Sequence, residues 1–262
     1  MNPVLAFVTI ALGLGWVLLS IPAVTGLPPE PFLLVTCYAG LMGTALVLTR
    51  RSHGSVRDLL RGVLRWRFGV GRWLVILFAM PLLTAGVAAV TGTLVRPSVP
   101  LWLVAVSYLA QVLLLGALLF NIPEEIGWSG FVQTRLMHRY GLLGGSLRTA
   151  PLFVGIHLPL LFGAGWTWRS VAVSAAALIA AAPFFRYLLG MHLLDTRYSL
   201  LAVGVQHAAF NASGALAFVH GGWQYLPAMA VLTVAMALVR SRRRAPAAVP
   251  VPAPASVSAV EV

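Results

Sequence analysis

The sequence predicts an all-α protein, a polytopic membrane helix bundle of about eight transmembrane helices with both termini cytoplasmic. Three observations predict it. Of 262 residues, 60% are hydrophobic and only 9% are charged, against roughly 25% charged in a soluble domain. Apolar stretches recur at about 20 residues, the length a helix needs to cross a bilayer. The 18 basic residues, all arginine, gather mostly in alternate loops between those stretches. A formal net charge of +12 would suggest a nucleic-acid partner in a soluble protein. Here the loop arginines set topology, and no nucleic acid is expected.

Taken in order, the spans fall at approximately 3–24, 31–49, 73–95, 101–123, 142–163, 168–190, 198–219 and 223–239. The first lacks the basic n-region and short apolar core of a signal peptide, so it reads as a retained span. The second carries the single cysteine, Cys37, which leaves no intrachain disulfide and argues against a cysteine-based metal or catalytic centre. The loop 50–72 holds seven arginines and one aspartate. Its Leu59, Leu60, Val63, Leu64 and Trp66 interleave with Arg57, Arg61, Arg65 and Arg67, the pattern of an amphipathic helix lying on anionic lipid.

Basic residues return after span four (Arg135, Arg139, Arg148), around the end of span six (Arg186, His192, Arg197) and after span eight (Arg240, Arg242, Arg243, Arg244). The intervening loops hold little beyond Arg96, Arg169 and His220. The positive-inside rule therefore puts the basic loops in the cytoplasm, and an even number of spans agrees with that alternation. The chain divides into N-terminal helices with the basic loop (1–100), a core (101–220), a last helix with a basic stop (221–244) and a Pro/Ala-rich tail (245–262). The tail is expected to be disordered and has no prenylation box.

A charge at the bilayer centre costs about 2.5–3.5 kcal/mol on insertion scales, so polar residues inside spans need a reason. Glu124 and Glu125 are adjacent, hence about 100° apart on a helix; one can face a cavity while the other holds structure. Pro123 just before them suits a break or kink. Phe153 and His157 are four apart and share a face, as do His207 and Asn211. Small residues around the last pair (Gly204, Ala208, Ala209, Ala212) allow close helix packing. Taken singly, each cluster also admits a structural reading: a solvated interface, a histidine bonded within the bundle, or interhelical glue. Gln206 points off the His207 face and reads as structural; His192 and Asp195 read as loop residues. His157 and His207 fall roughly 22 and 14 Å from the cytoplasmic ends of their spans, and both meet Glu124 more easily if span four re-enters or continues as a helix past Glu125.

Together the three clusters resemble the CPBP family of intramembrane proteases, which includes CAAX-prenyl proteases and bacteriocin-processing or self-immunity proteins. The family pattern is EExxxR, then FxxxH, then HxxxN, each on its own membrane helix. Here it reads Glu124-Glu125 to Ser129, Phe153 to His157, and His207 to Asn211, so the first motif ends in serine where the family has arginine. Arg135, one and a half turns later, is the candidate replacement. The resemblance covers roughly residues 100–220 and implies an intramembrane endopeptidase acting on a peptide or membrane-anchored protein, in contact with membrane lipid and expected in a bacterial plasma membrane.

By that resemblance Glu124 and His157 position and deprotonate water, as a shielded carboxylate can, and His207 and Asn211 donate to the oxyanion. Glu125, Phe153, Ser129 and Arg135 would support them. The family name includes metalloproteases, and Glu124, His157 and His207 form a possible zinc set. Without an HExxH motif, and with Asn211 where a further ligand is wanted, no cofactor is favoured. Two other readings stay open: a non-catalytic immunity or scaffold protein, and a proton-coupled transporter.

Overall fold

The computed structural model describes residues 2–163 and 165–242. Among the described residues it is helical without strands; one isolated antiparallel bridge joins Leu94 to Val219. The expected disordered tail, 245–262, lies outside them. Helix α1 (Pro3–Thr25) begins where the Asn2 side chain accepts from the Val4 N–H at 2.9 Å and Pro3 takes the first turn, a position where its missing donor costs nothing. It ends at Gly26, whose left-handed φ of 72° lets its N–H return to the Pro22 carbonyl, the usual glycine cap.

Helix α2 (Glu30–Arg51) contains a π-helical stretch, Thr36–Gly43. The following helix, α3 (Val56–Arg61), is capped by Ser55 and closes in a short 3-10 turn, Gly62–Leu64. It is much shorter than the amphipathic helix expected across 50–72. Gly62 packs so tightly against the loop before Leu200 that a Cβ there would stand 3.0 Å from the Tyr198 carbonyl. Arg65 and Ser199 lock the same contact: Arg65 Nη1 donates to the Arg197 carbonyl, and Ser199 Oγ donates to the Arg65 carbonyl, both at 2.5 Å.

Helix α4 (Val70–Val90) follows. The helical run Leu101–Phe162 is broken at Gly141, whose φ of 71° and ψ of 176° are non-helical. We treat its halves as α5 (101–140) and α6 (142–162). The chain reverses there: a Cβ on Gly145 would stand 2.4 Å from the Met137 nitrogen, and Gln133 Nε2 donates to Ser146 Oγ at 3.1 Å. Helix α5 therefore runs well past Glu125, through π-helical segments Gln111–Asn121 and Ile126–Gln133. Helices α7 (Trp168–Asp195), α8 (Leu200–Ser213) and α9 (Tyr225–Arg242) complete the bundle. His192 and Asp195, expected in a loop, belong to α7, and His192 is buried.

Six helical segments are long and apolar enough to cross a membrane, the 101–162 run counted once. Helix α8 has 14 residues, roughly 21 Å at 1.5 Å per residue, less than the 30 Å or so of a hydrocarbon core. It falls short of the expected span 198–219 because it is enclosed: Ala202 through Ala209 are all buried. Lipid-length apolar surface lies elsewhere, with Val24 84%, Leu82 69% and Val90 90% exposed. Helices α4 and α7 flank this enclosed helix, and α5 lies across it. The chain is an integral multi-pass membrane protein.

The connections sort to two ends. At one, the basic loop 50–72 meets residues 197–199, and Arg240 pairs with Asp195. At the other, His220 N–H bonds the Thr93 carbonyl at 2.9 Å and Gln224 Nε2 bonds Thr93 Oγ1 at 2.8 Å.

Candidate active site

The site forms where α5, α6, α7 and α8 meet. An aromatic wall supports it: Trp128 and Phe185 pack on Phe153 with ring centroids 6.1 and 5.6 Å apart, and Phe7 of α1 stacks on Phe131 at 5.3 Å. Helix α8 reaches α5 through small residues. A Cβ on Gly204 would lie 2.6 Å from Ile122 Cγ1, and one on Gly116 would lie 2.7 Å from Ala208 Cβ.

The two carboxylates diverge as their helical phase requires. Glu124, 7% exposed, turns toward α6, where its Oε1 lies 3.8 Å from His157 Nε2. His157 Nδ1 stands 2.7 Å from the Phe153 carbonyl. A carbonyl only accepts, so the proton sits on Nδ1 and Nε2 faces Glu124. The spacing of Phe153 and His157 thus fixes the ring by a hydrogen bond and by ring contact at 4.4 Å.

Beside this pair, a cavity of about 30 Å³ opens among Glu124, His157, Thr36, Cys37, Leu41 and Ile156. That is room for about one water, and a water needs polar partners to stay. Thr36 Oγ1 is buried without a hydrogen-bond partner among the described residues. Helix α2 therefore closes the site from outside the segment that carries the motifs.

Glu125 is completely buried and points the other way. Arg186 Nη1 donates to both its oxygens, at 3.0 and 3.1 Å. Ser129 Oγ donates to Oε2, and His207 Nδ1 donates to Oε1 at 2.9 Å. Arg186, also 0% exposed, spends its remaining donors on Ser129 Oγ (2.9 Å) and Gln133 Oε1 (2.8 and 2.5 Å). Gln133 Nε2 answers with a bond to the Arg186 carbonyl at 2.7 Å. A buried ion pair survives desolvation only when its polar atoms are satisfied in this way.

The structure brings Glu124, Glu125, Ser129, Phe153, His157 and His207 into one centre, His207 Nδ1 lying 3.9 Å from Glu124 Oε2. Asn211 sits one turn beyond His207, exposed, with no side-chain hydrogen bond among the described residues. Arg135 does not take the place expected of it. It donates to the Phe131 carbonyl at 2.9 Å and stacks on the Phe131 ring at 3.7 Å, because its position on α5 turns it away from Glu125. Arg186 and Gln133 are the partners that sequence reasoning missed. In the sequence Arg186 falls among the basic residues that read as setting topology; its place at the end of an apolar run is the signal that it can lie inside the bundle.

As to zinc, no three His, Cys, Asp or Glu side chains among the described residues are arranged to hold a metal ion. His207 Nδ1 is committed to Glu125, itself held by Arg186.

Fold and site define a multi-pass helical membrane protein with a buried carboxylate–imidazole centre between its helices. Residues 106–213 match the family model of the Type II CAAX prenyl endopeptidase Rce1-like proteins, in keeping with the resemblance to CPBP membrane proteases and supporting a protease. The matched segment contains every motif residue from Glu124 to Asn211, while Thr36 and Cys37 precede it. No curated protein matches the chain.

Proposed function

We propose that the protein is an intramembrane endopeptidase that hydrolyses a peptide bond of a peptide or membrane-anchored protein, working without a resident metal. The observation that carries this reading is the facing of Glu124 Oε1 and His157 Nε2, 3.8 Å apart beside a water-sized cavity. A water between them is held by two acceptors and gives its proton to Glu124 as its oxygen attacks the scissile carbonyl. The carbonyl oxygen becomes an oxyanion.

His207 donates through its ring Nε2–H and Asn211 through its amide, each such donor being worth about 2.7–4 kcal/mol in comparable sites. His207 serves this way while both ring nitrogens carry protons, and Glu125 accepts the one on Nδ1. The proton then passes from Glu124 to the leaving amine, the C–N bond breaks, and a carboxylate and an amine depart. Asn211, exposed one turn beyond His207, would meet substrate entering from outside the bundle.

Serine at position 129, where the family has arginine, is a ground for the non-catalytic reading, and Arg186 offsets it by supplying a cation to Glu125. A prenylated C-terminal tail is the narrower substrate reading, and it rests on the family match alone. The test is cleavage of quenched fluorescent peptides, prenylated and unprenylated, by the full chain in proteoliposomes. We expect Glu124→Gln to lower kcat by about 10²–10⁴-fold with normal folding. Unchanged cleavage by that variant would remove Glu124 from the mechanism. Stoichiometric zinc in the purified, active protein would replace this mechanism with a metal-dependent one.

A further inference from the structure

The pair Ser129 and Arg186 has a meaning beyond stabilising a buried charge. Ser129 lies one turn after Glu125 on α5, and Arg186 comes from α7, 57 residues further along the chain. The guanidinium approaches Glu125 across the helix interface and uses all three of its nitrogens: Nη1 on both carboxylate oxygens, Nη2 on Ser129 and Gln133, Nε on Gln133. The serine is small enough to admit it and bridges it, accepting from Arg186 while donating to Glu125. An arginine at 129 would compete for the same carboxylate and the same volume.

Glu125 Oε1 carries two bonds at once, one from Arg186 Nη1 and one from His207 Nδ1. The guanidinium therefore fixes the orientation in which the carboxylate receives His207, which leaves Nε2 as the ring nitrogen available to a reacting group.

We infer that Arg186 is the positioning residue of this site, a cation moved from the first motif to α7, which sets Glu125 and through it His207. Positions 129 and 186 are then alternative anchors for one guanidinium. The link to turnover rests on the proposed peptidase activity; the link to His207 does not.

The experiment uses the full chain in nanodiscs, with histidine labelled by nitrogen-15, in the wild type, Arg186→Ala, Arg186→Lys, Ser129→Arg and the double variant Ser129→Arg/Arg186→Ala. Two readouts are taken: the hydrogen-bonded Nδ1–H signal of His207, assigned by its loss in His207→Gln, and kcat and KM on the quenched prenylated peptide. The wild type should show the signal. Arg186→Ala should lose it and lose about 10²-fold or more in kcat, with KM changed far less, as when an oxyanion donor is displaced.

Arg186→Lys keeps the charge without the two-pronged fork and should weaken both readouts while remaining folded. Ser129→Arg alone should be impaired by crowding two cations on one carboxylate. The double variant should regain the signal and most of kcat. Failure of the double variant to recover either readout, folded or not, overturns the inference, as does an unchanged His207 signal in Arg186→Ala or Arg186→Lys. If the wild type cleaves no peptide, the proposed function fails, and the His207 signals alone still decide whether Arg186 positions the site.

Discussion

Two neighbouring glutamates of the same chemistry end in opposite situations. Glu124 faces a cavity and a histidine it does not directly bond, and Glu125 is sealed by four hydrogen bonds from Arg186, Ser129 and His207. Their substitutions should separate accordingly. Glu125→Ala leaves the Arg186 guanidinium buried without its counterion, which typically destabilises by about 3–5 kcal/mol. Thermal unfolding in detergent should show a lowered Tm together with lost activity, where Glu124→Gln loses activity alone. Cys37 lines the cavity without bonding to the site. Cys37→Ala should therefore keep most of the activity, and Cys37→Phe, which fills the water-sized space, should abolish it. Activity lost in Cys37→Ala would assign the thiol a chemical role.

Between residues and bundle stand helix irregularities. Helix α5 carries π-helical segments on both sides of the Glu124–Glu125 pair, and α2 carries one where it lines the cavity. Such segments shift helical phase and concentrate at functional sites. Their effect here is to let α5 pass the centre and still present Ser129 and Gln133 to α7. The approach of α8 is set by glycine: at Gly204 a Cβ would lie 3.1 Å from the Ile122 Cα as well as close to its side chain. Gly204→Val should overpack this crossing at a cost of about 1–3 kcal/mol. Since α8 carries His207, the peptidase rate should fall further than the loss of stability accounts for. A Gly204→Val protein of normal rate would show that the separation of α5 and α8 does not control the site.

Across the whole molecule, the loops divide between two ends, and the arginine-rich ones share one of them. Arg65 and Ser199 tie the first basic loop to the third, and Arg240 ties the last helix to the same end through Asp195. The positive-inside rule then predicts that this end is cytoplasmic. In a Cys37→Ala background, a cysteine placed at Arg57 should react with a membrane-impermeant maleimide only after cells are opened. One placed at Trp223, at the other end, should react in intact cells. The reverse pattern would invert the topology and put the proposed cleavage site nearer the outer face.

The sequence by itself determined the class of protein: hydropathy, span length and the arginine loops specify a helical membrane bundle, because a lipid environment leaves few other ways to satisfy the backbone. It also singled out Glu124, Glu125, His157 and His207, which the structure brings together, since polar residues inside apolar runs stand out and the four-residue spacings put Phe153 with His157 on one face. Tertiary structure alone decided the partners. Arg135 is near Glu125 in sequence and turned away from it; Arg186 is 61 residues distant and bonded to it. Whether two side chains meet across helices depends on the rotation and crossing of each helix, which π-helical segments alter and composition does not record. The extent of α8 was hidden for a related reason, because an apolar run enclosed by other helices reads like one that faces lipid.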